Sequence, residues 1–231
     1  MGSFYAGRRA RSYDTRYHTF TKRTLSKALA MVDLTALRRV KTQEGRPPRV
    51  LDVACGTGIF LSQLLGIFPD LEAYGIDASA DMLSVARARL AGFPPVHLEQ
   101  VEVDAGKTIH VSSASATFDL VTCTNALHSL PDPVGTLVGM RQLLAPGGHL
   151  VLSDIARPSP RLLGSLFEWV EQLVIGRPVQ VSTLAEGQEL ARQAELRIAC
   201  SKAFRIDWLL QGWALRAQDA RSPVERSGLC S

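Results

Sequence analysis

Residues 50–60 read Val50-Leu51-Asp52-Val53-Ala54-Cys55-Gly56-Thr57-Gly58-Ile59-Phe60. A short apolar strand runs into a loop of small residues and then into a helix expected over Thr57 to Ile67. Gly56 and Gly58 lack a Cβ, so the backbone can turn tightly and approach a ligand. The first turn of the helix presents unpaired N–H groups to an anion or a carboxylate. The dinucleotide fingerprint GxGxxG requires glycine at position 61, which is Leu61, so a nicotinamide cofactor is disfavoured.

Downstream, strands and helices alternate. Strands are expected at Leu71 to Ile76, Val96 to Val103, Phe118 to Cys123 and His149 to Ser153. Helices are expected at Ser79 to Ala91 and Pro133 to Leu144, the latter stopped by Ala145-Pro146-Gly147-Gly148. Such alternation implies a parallel sheet with helices on both faces. Its ligand site lies at the carboxyl ends of the strands. Asp77 ends the second strand, where a carboxylate can accept from both ribose hydroxyls; the competing reading is a helix cap by Asp77 or Ser79.

Beyond Asp154 the pattern changes. Helices are expected over 159–175 and over Ser182 to Ala194, with Ser182 and Thr183 as capping candidates. Strands at Leu196–Phe204 and Ile206–Leu215 should pair antiparallel, and 218–231 reads as a flexible tail. Upstream, a helix is expected from Thr21 to Lys41, broken by Thr42-Gln43-Glu44-Gly45-Arg46-Pro47-Pro48. This divides the chain into a basic N-terminal lead and helix over 1–46, an α/β domain over 47–217 with a helical insertion near 155–194, and the tail.

With 231 residues, one domain is expected, large enough to bury a core without staples. At 46% apolar and 21% charged, the composition excludes wholesale disorder. No apolar run reaches the roughly 18 residues of a membrane span. The start lacks a secretory h-region, and Ala6 stands where a myristoylation signal needs Ser or Thr. Cys55, Cys123, Cys200 and Cys230 form no CxxC pair, so no metal is expected and unpaired thiols are the default. Residues 1–46 hold 11 Lys/Arg against 3 Asp/Glu, a charge of +8; the rest holds 15 against 19, or −4. The basic segment is read as a solvated helix face, a contact for an anionic partner, or an organelle-targeting peptide.

Taken in order, Val50–Gly58, Gly75-Ile76-Asp77-Ala78-Ser79-Ala80-Asp81-Met82-Leu83, Val101–Ala105, Phe118–Pro133 and Leu143–Asp154 resemble the class I S-adenosylmethionine-dependent methyltransferases. The resemblance covers about residues 45–155. It is strongest to the small-molecule branch that includes the ubiquinone and menaquinone methyltransferases. The family pattern D-x-G-x-G-x-G stands here as Asp52 to Gly58, with Ala54 replacing the first glycine.

The resemblance implies a doubly wound, Rossmann-like, seven-stranded α/β sheet of order 3-2-1-4-5-7-6, the last strand antiparallel. It implies S-adenosyl-L-methionine as cofactor, with Asp52 in the motif. Ala54, Cys55, Gly56, Thr57 and Gly58 would pack along the methionine portion. Asp77 would take the ribose, and Ala78 and Met82 the adenine; plain core packing is the alternative for Met82. Asp104 would accept from the adenine amino group, with Ala105 offering its N–H. Asn125, Ala126 and Leu127 would line the sulfonium end.

His128 follows the fourth strand, and an imidazole near pKa 6.5 suits proton removal; capping or packing is its alternative role. Tyr13, Tyr17 and His18 could fold over the pocket as a lid. The expected function is methyl transfer by in-line displacement to a small, apolar or aromatic acceptor, in the cytoplasm or in mitochondria. The alternatives are a methyltransferase acting on protein or nucleic acid, and a cofactor-binding protein without catalysis. Against nucleic acid, Thr124-Asn125-Ala126-Leu127 lacks the [DN]PP[YF] motif of base-amino methyltransferases.

Overall fold

The computed structural model describes residues 18–94, 96–103, 109–112, 117–157, 180–208 and 210–222. Seven strands form one sheet: β1 Arg49–Val53, β2 Glu72–Asp77, β3 Val96–Gln100, β4 Phe118–Thr124, β5 Leu144–Ala156, β6 Leu196–Arg205 and β7 Gln211–Asp219. Their order is β3-β2-β1-β4-β5-β7-β6. The first five run parallel, and β7 runs antiparallel to both β5 and β6. From β1 the chain crosses outward to β2 on one side, and later returns to lay β4 on the other. The crevice between those two directions is where such a sheet binds ligands.

Alternation along the strands feeds two cores. Val50, Leu120, Val151 and Ala214 join Leu25, Leu37, Phe60, Leu64 and Leu90 on one face. Those partners come from α1 His18–Met31, α2 Leu34–Arg39, α3 Ile59–Ile67 and α4 Ala80–Leu90. Leu51, Val121, Leu150, Leu152 and Leu215 point the other way, onto Leu137, Met140 and Ala191. Those belong to α5 Pro133–Gln142 and α6 Leu184–Gln193. Successive strand residues alternating between two apolar layers explain why these strands read as continuous apolar runs.

Several boundaries differ from the sequence expectation, each for a local reason. The helix expected over Thr21 to Lys41 is two helices, because Asp33 caps α2 by accepting from the Ala36 N–H at 3.0 Å. A short aspartate that bonds its own backbone ends a helix rather than continuing it. Strand β5 begins at Leu144 rather than His149, because an irregularity opposite Phe118 and Leu120 admits Pro146 and the left-handed Gly147. The chain turns after Arg205 instead of extending: the Ile206 N–H donates to Leu210 O at 2.9 Å, and the Leu210 N–H to Asp207 Oδ1 at 2.7 Å. Strand β7 therefore starts at Gln211 and runs through Asp219, into the segment read as tail. Helix α6 carries the expected cap at Thr183, reciprocated by Glu186. Cys55 and Cys123 are free and buried. Cys200, half-buried on the edge strand β6, is disulfide-bonded, so the expectation of unpaired thiols does not extend to it. The helix expected over 159–175 and the end of the tail lie outside the described residues.

Candidate active site

Each segment of the β1–α3 loop has a physical reason to be where it is. Ala54 adopts φ 56°, Gly56 φ 54° and Gly58 φ 71°. Two of these left-handed positions carry glycine; Ala54 sustains the conformation with a Cβ, at a cost of about 1 kcal/mol. The Cys55 N–H donates to Ile76 O and the Gly58 N–H to Cys55 O, both at 2.9 Å, so the loop is pinned to the end of β2. Gly58 rather than Thr57 caps α3, and a Cβ there would meet Leu90 Cδ1 at 2.9 Å and Ala86 Cβ at 3.1 Å.

Asp77 is not the helix cap. Ser79 caps α4, accepting from the Met82 N–H at 3.3 Å. The Asp77 carboxylate instead accepts from Gly56 N–H at Oδ2 and from Ser79 N–H at Oδ1, each at 2.8 Å. Each oxygen keeps lone-pair capacity for a further donor. Burial raises the Asp77 pKa, opposed by those two N–H groups.

Behind the loop, Asp52 is 1% exposed, and its Oδ1 accepts from Thr122 Oγ1 at 2.6 Å. Burial pushes its pKa up to about 7, the Thr122 bond opposes this and the Asp77 charge adds to it. Asp52 Oδ2 is buried without a partner. Burial likewise holds the Cys55 thiol well above its ordinary pKa, so it remains protonated.

These residues surround one cavity of about 720 Å³, part of it open to solvent. Ala54, Cys55, Gly56, Thr57, Asp77, Met82, Asn125 and Ala126 line it. Eight residues chosen from sequence therefore converge. Gly58 shapes the loop from below. Ala78 is half-buried, and its carbonyl accepts from Gln100 Nε2 at 3.0 Å. Leu127 is 3% exposed and belongs to the core, so it supports the loop from behind rather than facing the cavity. Asp104, Ala105, Tyr13 and Tyr17 lie outside the described residues, and His18 is described only as the first residue of α1.

The sequence reading missed other lining residues: Thr21 and Leu25 on α1, Ile59 and Phe60 at the start of α3, and Ser79, Thr124 and Ser129. Only Ser79 carried a local sign, as a cap. Helix α1 reaches the cavity through a long-range bond, Asn125 Nδ2 donating to Thr24 Oγ1 at 2.8 Å. Asn125 is left-handed at φ 54°, a conformation asparagine tolerates. Two polar atoms of the lining residues, Thr21 Oγ1 and Asn125 Oδ1, are buried without a partner. Buried polar groups are nearly always satisfied, so these two hold unmet hydrogen-bonding capacity beside the cavity.

His128 sits in the 3₁₀ turn Leu127–Ser129, between the lining residues Ala126 and Ser129. Its backbone N–H donates to Asp154 Oδ2 at 2.9 Å, and its Nδ1 lies 2.6 Å from Asp154 Oδ1. Asp154, near the end of β5, is 2% exposed. The sequence reading did not single it out.

Residues 51–150 match a family described as a methyltransferase domain. A demethylmenaquinone methyltransferase of Deinococcus radiodurans is 37% identical over 131 residues, 57% of this chain and 53% of that protein. A ubiquinone biosynthesis O-methyltransferase of Paracidovorax citrulli is 31% identical over 167 residues, 70% of this chain and 64% of the relative. The chain thus aligns with only about half to two-thirds of the length of these curated relatives. Among solved structures, an O-methyltransferase family protein of Burkholderia thailandensis superposes with a TM-score of 0.66 at 18% identity, covering 94% of this chain and 60% of that one. The cavity thus lies at the carboxyl edge of β1, β2 and β4, and the chain is similar to a methyltransferase domain over residues 51–150 and to quinone-type methyltransferases over about half to two-thirds of their length.

Proposed function

We infer that this chain transfers a methyl group from S-adenosylmethionine to a small-molecule acceptor. The observation that carries this reading is the Asp77 carboxylate, braced by Gly56 and Ser79 at the cavity wall. The residues present fit the cofactor. Asp77 can accept from ribose hydroxyls, and Met82 offers an apolar wall for adenine. Thr21 Oγ1 and Asn125 Oδ1 supply unmet polar capacity for its amino-acid end. The Asp77 carboxylate at the wall gives the cavity a negative group suited to a cationic ligand. When bound, the cofactor supplies an electrophilic methyl on a sulfonium.

The chain's own work is then placement and dehydration. The loop 54–58 would hold the methionine portion, with Asp52 stiffening the strand beneath it. Asn125 and Ala126 would set the sulfonium end, with Leu127 packed behind them. Asp104 and Ala105 would meet adenine. Holding the acceptor in line near 3 Å accounts for most of the expected acceleration. Residues 1–46 would act as a lid, with Tyr13, Tyr17 and His18 over the opening, and the 155–194 region would receive the acceptor. The curated relatives' names, demethylmenaquinone methyltransferase and ubiquinone biosynthesis O-methyltransferase, favour an aromatic, apolar acceptor. Among the described residues no helix is long and apolar enough to cross a membrane; a cytoplasmic or mitochondrial site of action is part of this proposal.

Isothermal calorimetry tests it. Binding of S-adenosylmethionine or S-adenosylhomocysteine, with none of comparable strength for NAD, is expected; preference for NAD overturns it.

A further inference from the structure

The turn between β6 and β7 leaves a tryptophan in water. Trp208 is 84% exposed, while the other described tryptophan, Trp213, is buried. Folded chains seldom leave an indole so bare, and the turn does not need this one. Its hydrogen bonds run from the Ile206 N–H to Leu210 O and from the Leu210 N–H to Asp207 Oδ1. The strand register fixes where the turn stands. Thr124, in the cavity lining, pairs with Ser153, whereas Gln211 pairs with Ala156, three residues further along β5. At about 3.3 Å per residue, the turn begins roughly 10 Å beyond that point on the carboxyl edge. Only β5 lies between β4 and β7, so the lateral separation is also about 10 Å.

Helix α1 joins the turn to the cavity. Its inward side carries Thr21 and Leu25 to the cavity wall. On its outward side Lys22 and Arg23 are exposed, and Arg23 Nη1 donates to Ile206 O. Phe20 packs against Ile155 and Val181 at the same edge. Lys202 and Arg205, near the end of β6, are exposed as well. Residues 20–30 and 202–211 together hold five Lys/Arg against one Asp, a charge of +4. That acid, Asp207, spends an oxygen within the turn.

We propose that this edge docks on an anionic lipid surface, with the Trp208 indole in the headgroup layer and Lys22, Arg23, Lys202 and Arg205 facing lipid phosphates. An indole joins an apolar body to an N–H donor, which suits the boundary between acyl chains and water. Each cation near an anionic leaflet adds about fivefold to binding. One indole with a basic rim gives reversible attachment, not insertion. An acidic peptide or a nucleic-acid strand would engage the same cations. The lipid surface is favoured by the place of the patch, beside the cavity mouth: an apolar acceptor held in a bilayer would then reach the cavity without crossing water. That last clause rests on the function proposed above; the docking itself does not.

Co-sedimentation of the full chain with vesicles tests the proposal. Vesicles of phosphatidylcholine with about 30% phosphatidylglycerol should carry the protein down at low salt, and high salt should release it. Trp208→Ala should weaken this binding by about tenfold, the worth of burying much of an indole. Lys202→Glu with Arg205→Glu should weaken it by about 25-fold or more. Brominated lipid should quench tryptophan fluorescence in the wild type and much less in Trp208→Phe. All substituted side chains are exposed, and melting curves should match the wild type. No sedimentation of the wild type overturns the proposal, as does equal binding to pure phosphatidylcholine. Binding that neither Trp208→Ala nor the charge reversal weakens also overturns it. Retention by single-stranded DNA or polyglutamate, with none by vesicles, assigns the cations to a different polyanion and overturns it too. Should the charge-reversed variant fail to fold, Trp208→Ala and the quenching decide. A chain that binds vesicles but not S-adenosylhomocysteine keeps the docking edge and loses the proposed function; the reverse result loses only the docking edge.

Discussion

Asp77 and Gly56, 21 residues apart in sequence, are joined by a 2.8 Å hydrogen bond from the glycine N–H to the carboxylate. That bond makes the ligand-facing carboxylate and the ligand-facing loop a single rigid part. Asp77→Ala should therefore lose a direct contact and loosen the loop together. Cofactor affinity should weaken by about 1.5–3 kcal/mol, the loss expected for hydrogen bonds to a charged group. Calorimetry with S-adenosylhomocysteine checks this, and unchanged affinity would reduce Asp77 to a loop brace.

Gly58→Ala should destabilise the fold. The new Cβ meets Leu90 Cδ1 at 2.9 Å and Ala86 Cβ at 3.1 Å, on a backbone already at φ 71°. Strain of this kind, with overpacking, costs about 1–3 kcal/mol. Urea denaturation monitored by circular dichroism measures it.

Ala54→Gly should do the opposite. At φ 56° the Cβ is strained, and relieving it should outweigh the extra freedom of glycine in the unfolded chain, for a net gain of up to about 1 kcal/mol. In a chain of this length that raises the melting temperature by about 2–4 °C. A lowered melting temperature would show that the Ala54 methyl packs usefully.

His149 predicts a pH dependence. Its ring is 2% exposed, and its Nε2 accepts from the Asp33 N–H at 3.1 Å. Burial pushes its pKa down to about 4, against the opposing charge of Asp33. The unfolded ring takes up its proton near pH 6.5. Between about 6.5 and 4 the unfolded state binds more protons, so stability from this group is lost as pH falls through that window, by up to about 3 kcal/mol. Asp52 works in the other direction, because its folded pKa of about 7 makes it protonate before an unfolded aspartate would. The difference between wild type and His149→Gln isolates the histidine: the variant should be relatively less acid-sensitive between pH 6.5 and 4. Parallel profiles would show that the ring is not buried neutral.

Thr24→Val should break the bond from Asn125 Nδ2 to Thr24 Oγ1 while keeping side-chain volume. The amide then loses its tie to α1. Cofactor affinity should fall by about 1 kcal/mol, near fivefold, with turnover falling alongside. Deleting residues 1–18 should reduce turnover and cofactor retention together if that segment closes the opening; full activity in the deletion would leave it dispensable.

What the sequence made legible was what lies close together along the chain. The strand–loop–helix from Val50 to Ile59 and the acidic end of β2 are local signals, because one short turn must supply both the chain reversal and the ligand contact. Asp154 left no such sign. It stands 26 residues beyond His128, and nothing local distinguishes a partner carboxylate from a polar strand end. Thr21 and Leu25 were equally silent, since their place depends on α1 docking across β5 and β7. The break at Asp33 was hidden because apolar residues continue at helical spacing on both sides of it. Strand β5 was underestimated because Pro146, Gly147 and Gly148 ordinarily end an element, and here a pairing irregularity accommodates them.

Helix α1 precedes the first strand in the chain yet closes the cavity in space. The region matched to the family, 51–150, ends well short of it on one side and of β6 and β7 on the other. A fragment cut to that region would keep the floor of the cavity and lose the wall built by Thr21 and Leu25. The part that resembles methyltransferases and the part that finishes the pocket are therefore separate stretches of sequence. The wall from α1 and the floor from the β1–α3 loop can vary independently in sequence, so the cavity can change its outline while the loop 54–58 stays as it is.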